Sequence, residues 1–291
     1  MILRSLGPGA PSVTAIGYGG MHLSLDRRPP EAQALRVLGA VLDAGVTLID
    51  TADAYCLNEG DVGHNERLIA TALKAWGGDR SKVIVATKGG VVRHGARWDT
   101  DGSPAHLREA CERSLRALGV ERIDLYQLHT PDSRVPFAES VGAMAELKRQ
   151  GKVRWIGLSN VSVDQIREAA SIAPVTSVQN RLNPFFRESL AEGVVRHCAE
   201  QGIGFLAYSP TGGGRLNLKL PAHPVVIQLA RRLGASPHAV VLAWVLSQSP
   251  TAIAIPSART TEHAIDSVSA ADLTLSPDDL SAINAAEFSR A

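Results

Sequence analysis

The chain has 291 residues, 20% of them charged, and a formal net charge of +1. This composition is typical of a soluble globular protein, with room for one α/β barrel or two smaller domains. It indicates neither a nucleic acid nor a membrane surface as a partner. The three cysteines, Cys56, Cys111 and Cys198, are too few and too far apart for a disulfide framework or a zinc site. We therefore expect no metal, and a reducing cytoplasm as the setting, since the first residues also lack a signal-peptide pattern.

The first 20 residues predict a short hairpin followed by a core strand. Leu6-Gly7-Pro8-Gly9 is a turn signal between two short extended pieces. The apolar residues 13–17 predict the first core strand, which leads into Gly19, Gly20 and Met21. Glycine at a strand end lets the backbone approach a ligand closely.

Beyond this start, apolar segments alternate with segments of helical pattern. Further strands are predicted at residues 46–50, 83–88, 124–129, 153–160, 175–180, 203–208 and 252–256. Residues 89–102 predict a long binding loop, and residues 188–201 predict one helix. Alternation on this scale favours one (β/α)8 TIM barrel over residues 1–291, with a short N-terminal hairpin and a C-terminal helical segment. A doubly wound sheet is the alternative, but no Gly-x-Gly-x-x-Gly pattern follows the first strand.

Ionisable residues stand where three of the predicted strands end. Asp50, Lys88 and His129 each close an apolar run, and Tyr55 follows Asp50 by five residues. Any one of them has a plain structural interpretation, such as a helix cap, a solvated strand end or a packed core residue. The repeated placement favours an active site, because the carboxyl ends of barrel strands meet on one face.

The strand-end motifs resemble those of the aldo-keto reductase superfamily, most of all its compact bacterial members, among them enzymes that interconvert pyridoxal and pyridoxine. The resemblance runs the length of the chain and rests on Asp50-Thr51-Ala52-Asp53-Ala54-Tyr55, Gly63-His64-Asn65-Glu66, Ala86-Thr87-Lys88, Asp124-Leu125-Tyr126-Gln127-Leu128-His129, Gly157-Leu158-Ser159-Asn160, Val178-Gln179-Asn180, Ala207-Tyr208-Ser209-Pro210 and Ile255-Pro256. It implies reversible reduction of aldehydes or ketones with NADPH, NADH being possible.

The resemblance also assigns catalytic roles. Tyr55 is expected to donate the proton, with Lys88 lowering its pKa, Asp50 pairing with Lys88, and His129 orienting the carbonyl oxygen. His22, Tyr55, Trp98 and His129 are expected to line the substrate pocket, which suits small or medium carbonyl compounds. The only expected partner is that substrate, and the chain is expected to be a monomer or a weak homo-oligomer.

The cofactor site implied by the resemblance draws on several strand ends. Arg259 stands near the position where many members have a lysine that meets the 2′-phosphate, and a guanidinium also suits a phosphate. The expected cofactor-binding residues are Gly20, Met21, Asp50, Ser159, Asn160, Gln179, Tyr208, Ser209, Pro210, Thr211, Gly212, Ser257, Arg259, His263 and Asp266.

Two other functions fit parts of the pattern. A barrel aldolase would use Lys88 to form a Schiff base, but this leaves Gln179 and Tyr208 unexplained. A non-catalytic redox sensor would bind NADPH only to report on it, and the complete set of four catalytic residues argues against that role.

Overall fold

The computed structural model describes residues 2–291, and its strands form one barrel and two separate hairpins. β1 (Leu3–Ser5) and β2 (Ser12–Thr14) make the N-terminal hairpin. The strands that follow in chain order are β3 (Tyr18–Gly19), β4 (Leu48–Asp50), β5 (Ile84–Gly89), β6 (Val91–His94), β7 (Arg97–Thr100), β8 (Ile123–Leu128), β9 (Val153–Ser159), β10 (Val175–Arg181), β11 (Gly204–Tyr208) and β12 (Ala252–Ala254).

Eight of these strands are parallel neighbours in the order β3-β4-β5-β8-β9-β10-β11-β12. The sheet closes on itself because the backbone just before β3 bonds to the last strand. Gly17 N donates to Ala254 O at 2.9 Å, and Ala254 N donates to Ala15 O at 3.0 Å. The predicted (β/α)8 barrel is therefore confirmed.

Helices cover the outside of the barrel, and several of them begin at ordinary capping residues. Ser103 and Ser162 each accept a backbone N–H of the following first turn, and Ser162 forms a reciprocal capping box with Gln165. The helices are α1 (Glu31–Asp43), α2 (His64–Ala75), α3 (Pro104–Leu118), α4 (Phe137–Arg149), α5 (Val163–Ile172), α6 (Glu188–Ala191), α7 (Val194–Glu200), α8 (Pro224–Leu233), α9 (Pro237–Ser247), α10 (Thr261–Ser269) and α11 (Pro277–Ala285). Among residues 2–291, no helix is long and apolar enough to cross a membrane.

Three predicted elements differ from the structure. The run at residues 13–17 is not one barrel strand, since Ser12–Thr14 pairs back on β1 and the barrel strand begins at Tyr18. The segment 89–102 is largely the β6–β7 hairpin, which turns at Gly95 with φ +59°. The helix predicted at 188–201 is two short helices, because Gly193 adopts φ +77° between them.

The N-terminal hairpin closes one end of the barrel. Its Leu6 and Val13 join the buried cluster inside the strands, which contains Leu48, Ile84, Ala86, Leu125, Trp155, Leu206, Ile253 and Ile255. The hairpin approaches the strands so closely that a Cβ on Gly204 would lie 2.2 Å from Leu6 O. With this end sealed, the opposite end, where the strands finish, is left for the site.

Replacing Gly204 with alanine should destabilise the fold, because the new methyl group must push the hairpin off the barrel. We expect a loss of about 1–3 kcal/mol in the free energy of unfolding, measured by urea titration. Gly39→Ala is the matched control, since nothing lies within 4 Å of the new Cβ on α1. The free energy of unfolding of this control should rise by about 0.5–1 kcal/mol. Equal stability of the two variants would show that the hairpin is not in tight contact.

Candidate active site

A buried lysine holds the centre of the site at the carboxyl end of β5. Lys88 is fully buried, and its ammonium donates to Asp50 Oδ2 at 2.6 Å, Thr51 O at 2.8 Å and the Tyr55 hydroxyl oxygen at 3.0 Å. An ammonium has three N–H donors, so all three are used. The Tyr55 oxygen accepts one of them, which leaves its own hydrogen free to be donated elsewhere.

The second oxygen of Asp50 is held by two glutamines from neighbouring strands. Gln179 Nε2 donates to Asp50 Oδ1 at 2.7 Å, and Gln127 Nε2 approaches the same oxygen at 3.2 Å. Gln179 is thus tied to Asp50, in addition to its predicted place beside the cofactor. No role was predicted for Gln127. Its position in the sequence could have indicated a role, because Gln127 precedes His129 by two residues and so shares a strand face with it.

Burial and the charge of Lys88 have opposite effects on the pKa of Tyr55. Burial raises the pKa of Tyr55, the Lys88 ammonium lowers it, and the net direction is upward. The prediction that Lys88 lowers the Tyr55 pKa is confirmed for the contribution of Lys88, although burial outweighs it. Burial would lower the pKa of Lys88, but Asp50 and Tyr55 overcome this and raise it. At neutral pH the pair is a phenol hydrogen-bonded to an ammonium.

His129 stands beside this pair as a neutral imidazole. Its ring centroid lies 5.7 Å from that of Tyr55 at an angle of 83°. Burial and then the charge of Lys88 hold the His129 pKa well below its ordinary value. Its buried Nδ1 has no hydrogen-bond partner among the described residues. A neutral imidazole of this kind can donate from one nitrogen and accept at the other.

Asn65, at the start of α2, links the segment just after β3 to the segment just after β4. Asn65 Nδ2 donates to Gly20 O at 2.8 Å, and Asn65 Oδ1 accepts from Thr51 Oγ1 at 2.6 Å. A Cβ on Gly20 would lie 2.5 Å from Asn65 Oδ1, so the contact requires glycine there. Asn65 was noted only as part of a motif, since nothing in the sequence shows which backbone it reaches.

A buried pair of carboxyl groups lies behind the site. Asp53 and Glu66 are both almost fully buried, and Arg113 reaches Asp53 at 3.7 Å. Burial and the neighbouring Glu66 raise the pKa of Asp53 to about 8. Burial also raises the pKa of Glu66, whose Oε1 accepts from Thr87 Oγ1 at 2.6 Å. Asp53 therefore holds its proton at neutral pH.

The predicted nicotinamide-binding residues form a connected group next to His129. Tyr208 donates its hydroxyl to Asn160 Oδ1 at 2.8 Å, and Asn160 Nδ2 donates to His129 O at 3.0 Å and approaches Ser159 Oγ at 3.2 Å. Asn160 has φ +58°, which is uncommon outside glycine. Residues with backbone strain of this kind are often found at functional sites.

The predicted phosphate loop follows β11 and contains several residues with positive φ. Ser209 has φ +47°, and Gly212 has φ +102°. Asn183, for which no role was predicted, donates to Ser209 O at 2.8 Å and holds the start of the loop. Pro210 is buried, and Thr211 and Gly212 are half-buried beside it.

The residues predicted at the adenosine end of the cofactor differ from one another in exposure and in hydrogen bonding. Ser257 Oγ is buried without a partner, and Arg259 makes only two long bonds, both 3.4 Å, to the backbone oxygens of His22 and Asp26. His263 is exposed on α10. Asp266 instead accepts from Ser236 Oγ at 2.6 Å, at the start of α9, so its carboxylate is already engaged.

Two of the predicted pocket residues, Trp98 and His129, lie next to Tyr55. The Trp98 ring meets Tyr55 edge to face with centroids 6.5 Å apart. Met21 and His22 are half-buried in the turn after β3, and burial and then Arg259 lower the pKa of His22. Among residues 2–291, no group of His, Cys, Asp and Glu side chains is arranged to hold a metal ion.

An ionisable cluster at the carboxyl ends of closed parallel strands defines a barrel enzyme. A family model described as the aldo/keto reductase family matches residues 15–287. "Probable aldo-keto reductase 1" of Glycine max is 35% identical over 297 residues, covering 92% of this chain and 84% of its own. The chain belongs to the aldo/keto reductase family, as its strand-end motifs predicted.

Solved structures agree with this assignment. A glycerol dehydrogenase from Gluconobacter oxydans superposes with a TM-score of 0.84 at 27% identity, covering 97% of this chain and 94% of its own. An aldo/keto reductase from Klebsiella pneumoniae, in complex with NADP and acetate, has a TM-score of 0.82 at 27% identity, with 97% and 94% covered.

The buried Asp53 carboxyl should make the stability of the protein depend on pH. Its pKa of about 8 in the fold lies above the ordinary 3.8, so its favourable contribution is complete below pH 4 and is lost as the pH rises toward 8. Asp53→Asn cannot ionise and should flatten the fall in unfolding free energy over this range. Urea titrations from pH 4 to 9 measure the slope. The exposed Asp164→Asn on α5 is the control, and a wild-type slope in Asp53→Asn would contradict the assignment.

Proposed function

We propose that this protein is an NADPH-dependent oxidoreductase that reversibly reduces aldehydes or ketones to alcohols, with Tyr55 as the proton donor. The observation that carries the proposal is the set of three hydrogen bonds from Lys88. They hold the Tyr55 oxygen 3.0 Å from an ammonium while leaving its hydrogen free. Reduction of a carbonyl requires a hydride at carbon and a proton at oxygen, and this cluster suits the second requirement.

The surrounding charges favour proton transfer from Tyr55 when it is needed. Burial keeps the hydroxyl protonated at rest, because it raises the pKa. Once the carbonyl oxygen becomes negative, the proton moves from Tyr55 to it, and the Lys88 ammonium stabilises the phenolate that remains. Asp50 balances the charge of Lys88 in both states. The neutral His129 donates to the carbonyl oxygen and orients it.

The groups at the cofactor positions fit NADPH. Tyr208, Ser159 and Asn160 would hold the nicotinamide beside His129, and the loop that contains Thr211 and Gly212 suits a pyrophosphate. The unpartnered Ser257 Oγ and the weakly held Arg259 guanidinium would meet the 2′-phosphate. When bound, the nicotinamide supplies the hydride.

A Schiff-base aldolase fits the same site less well. All three N–H groups of Lys88 are donated to fixed partners, and its pKa is raised. A lysine that attacks a carbonyl must be the free amine, which requires a lowered pKa. The geometry of Lys88 suits a permanent cation.

Replacing Tyr55 with phenylalanine should remove the proton donor and little else. We expect kcat for a simple aldehyde to fall by a factor of about 100–10,000, while the Kd for NADPH, measured by fluorescence quenching, changes little. Tyr126→Phe is the control, since Tyr126 is also buried but bonds only Leu107 O. Turnover of Tyr55→Phe at the level of Tyr126→Phe would rule out the proposed role.

Replacing Arg259 with alanine should weaken NADPH and spare NADH. A charge-assisted contact to the 2′-phosphate is worth roughly 10- to 100-fold in affinity, and NADH has no phosphate there. The ratio of the two dissociation constants is the measurement, and Arg259→Lys should fall between. An equal loss for both cofactors would mean that Arg259 serves only to hold residues 22–26.

A further inference from the structure

The β6–β7 hairpin presents one face to the catalytic tyrosine. Arg93 and Trp98 are direct partners across the antiparallel pair, so their side chains leave the same face. Trp98 lies edge to face with Tyr55 at 6.5 Å, and the Arg93 guanidinium carbon lies 4.1 Å from the centre of the Trp98 ring. The Trp98 indole therefore contacts both the guanidinium and the proposed proton donor.

Arg93 is a buried cation whose hydrogen-bonding capacity is mostly unused. Its side chain is only 7% exposed, and Nη2 donates to Leu57 O at 2.9 Å. Nε and Nη1 are buried with no partner, and no ion pair joins Arg93 to any of the residues 2–291. Burying guanidinium donors without acceptors is costly, so such groups are expected to have a partner in the working protein.

Two carboxylates near Arg93 already have hydrogen-bond partners of their own. Asp61 is paired with Arg28 at 2.7 Å and also accepts from Leu57 N. Glu59 Oε2 accepts from Gly95 N at 2.7 Å, at the turn of the hairpin. Neither carboxylate is within hydrogen-bonding distance of Arg93, so residues 2–291 supply no anion for the two free donors.

Access to these donors depends on one exposed side chain. Trp98 covers the guanidinium and is itself 42% exposed. A rotation of its indole would open the covered face of the guanidinium. Nε and Nη1 lie on different edges of the guanidinium, and each can donate a charge-assisted hydrogen bond to an oxygen of a carboxylate or a phosphate.

We propose that Arg93 is a substrate-binding residue that recognises an anionic group, a carboxylate or a phosphate, on the carbonyl compound. This inference rests on the proposed function and narrows its substrate class. The anion lies beyond Trp98, about the width of one aromatic ring from the carbonyl carbon. The bond from Arg93 Nη2 to Leu57 O holds the guanidinium in place, so little ordering is needed when the anion arrives.

Substrates matched in size but not in charge test this proposal with NADPH as the reductant. 4-Carboxybenzaldehyde is compared with its neutral methyl ester, and glyceraldehyde 3-phosphate with glyceraldehyde. We expect wild-type kcat/KM to favour one anionic member of these pairs by roughly 10- to 100-fold, the value of a charge-assisted contact. The pair with the larger ratio tells whether the anion is a carboxylate or a phosphate.

Two variants of Arg93 and one control complete the test. Arg93→Met should bring the preferred anionic-to-neutral ratio close to one, and Arg93→Lys should retain part of it. Arg97→Met is the control, because Arg97 is exposed and pairs with His94 one position further along the same hairpin. The control should keep the wild-type ratio. Thermal unfolding and NADPH binding by each variant show that the barrel is intact.

The possible results separate this inference from the proposed function. Reduction of neutral aldehydes with no anionic preference in the wild type would overturn the role of Arg93 and leave the reductase assignment standing. An anionic preference that survives Arg93→Met would also overturn it. If neither member of either pair is reduced, the proposed function itself fails. Competitive inhibition by benzoate but not benzamide, lost in Arg93→Met, would support the site independently of turnover on these aldehydes.

Discussion

The buried ammonium of Lys88 is the constraint around which this site is built. A charge without solvent requires compensation on every side, and here a carboxylate, a backbone carbonyl and a phenol oxygen provide it. The barrel register makes this possible, because Lys88 is level with Gln127 on the adjacent strand and Asp50 is level with Ala86. Gly157 makes room for the glutamine, since a Cβ there would lie 2.8 Å from Gln127 Cγ.

Burial disfavours the charged forms of both Tyr55 and His129, and it therefore shifts their pKa values in opposite directions. It raises the pKa of Tyr55 and lowers that of His129, so both are neutral while Lys88 and Asp50 carry the charge. In the proposed reaction, a carbonyl oxygen would meet two neutral donors in front of a fixed cation. Such an arrangement stabilises negative charge as it develops, without reorganising the protein.

In the proposed function, the barrel strands carry the groups for proton transfer, and the β6–β7 hairpin carries groups that select the substrate. The groups proposed to react lie at or just beyond the ends of β4, β5 and β8, and strand pairing sets the relative positions of these strand ends. The β6–β7 hairpin lies outside the barrel sheet and adds Arg93 and Trp98 beside Tyr55. Because a hairpin can change without disturbing the barrel, substrate preference can vary while the proton-transfer group stays the same.

Local patterns in the sequence were enough to predict the barrel and the placement of Asp50, Lys88 and His129, because an apolar run that ends in a polar residue reports a buried strand and its end. The hairpin at residues 89–102 was missed, since alternating polar residues look the same in a loop. Tertiary structure alone decided the net pKa of Tyr55, the hold of Gln127 on Asp50 and the pairing of Asp266 with Ser236. Each depends on burial or on a distance between residues far apart in the chain, and neither quantity is contained in local sequence.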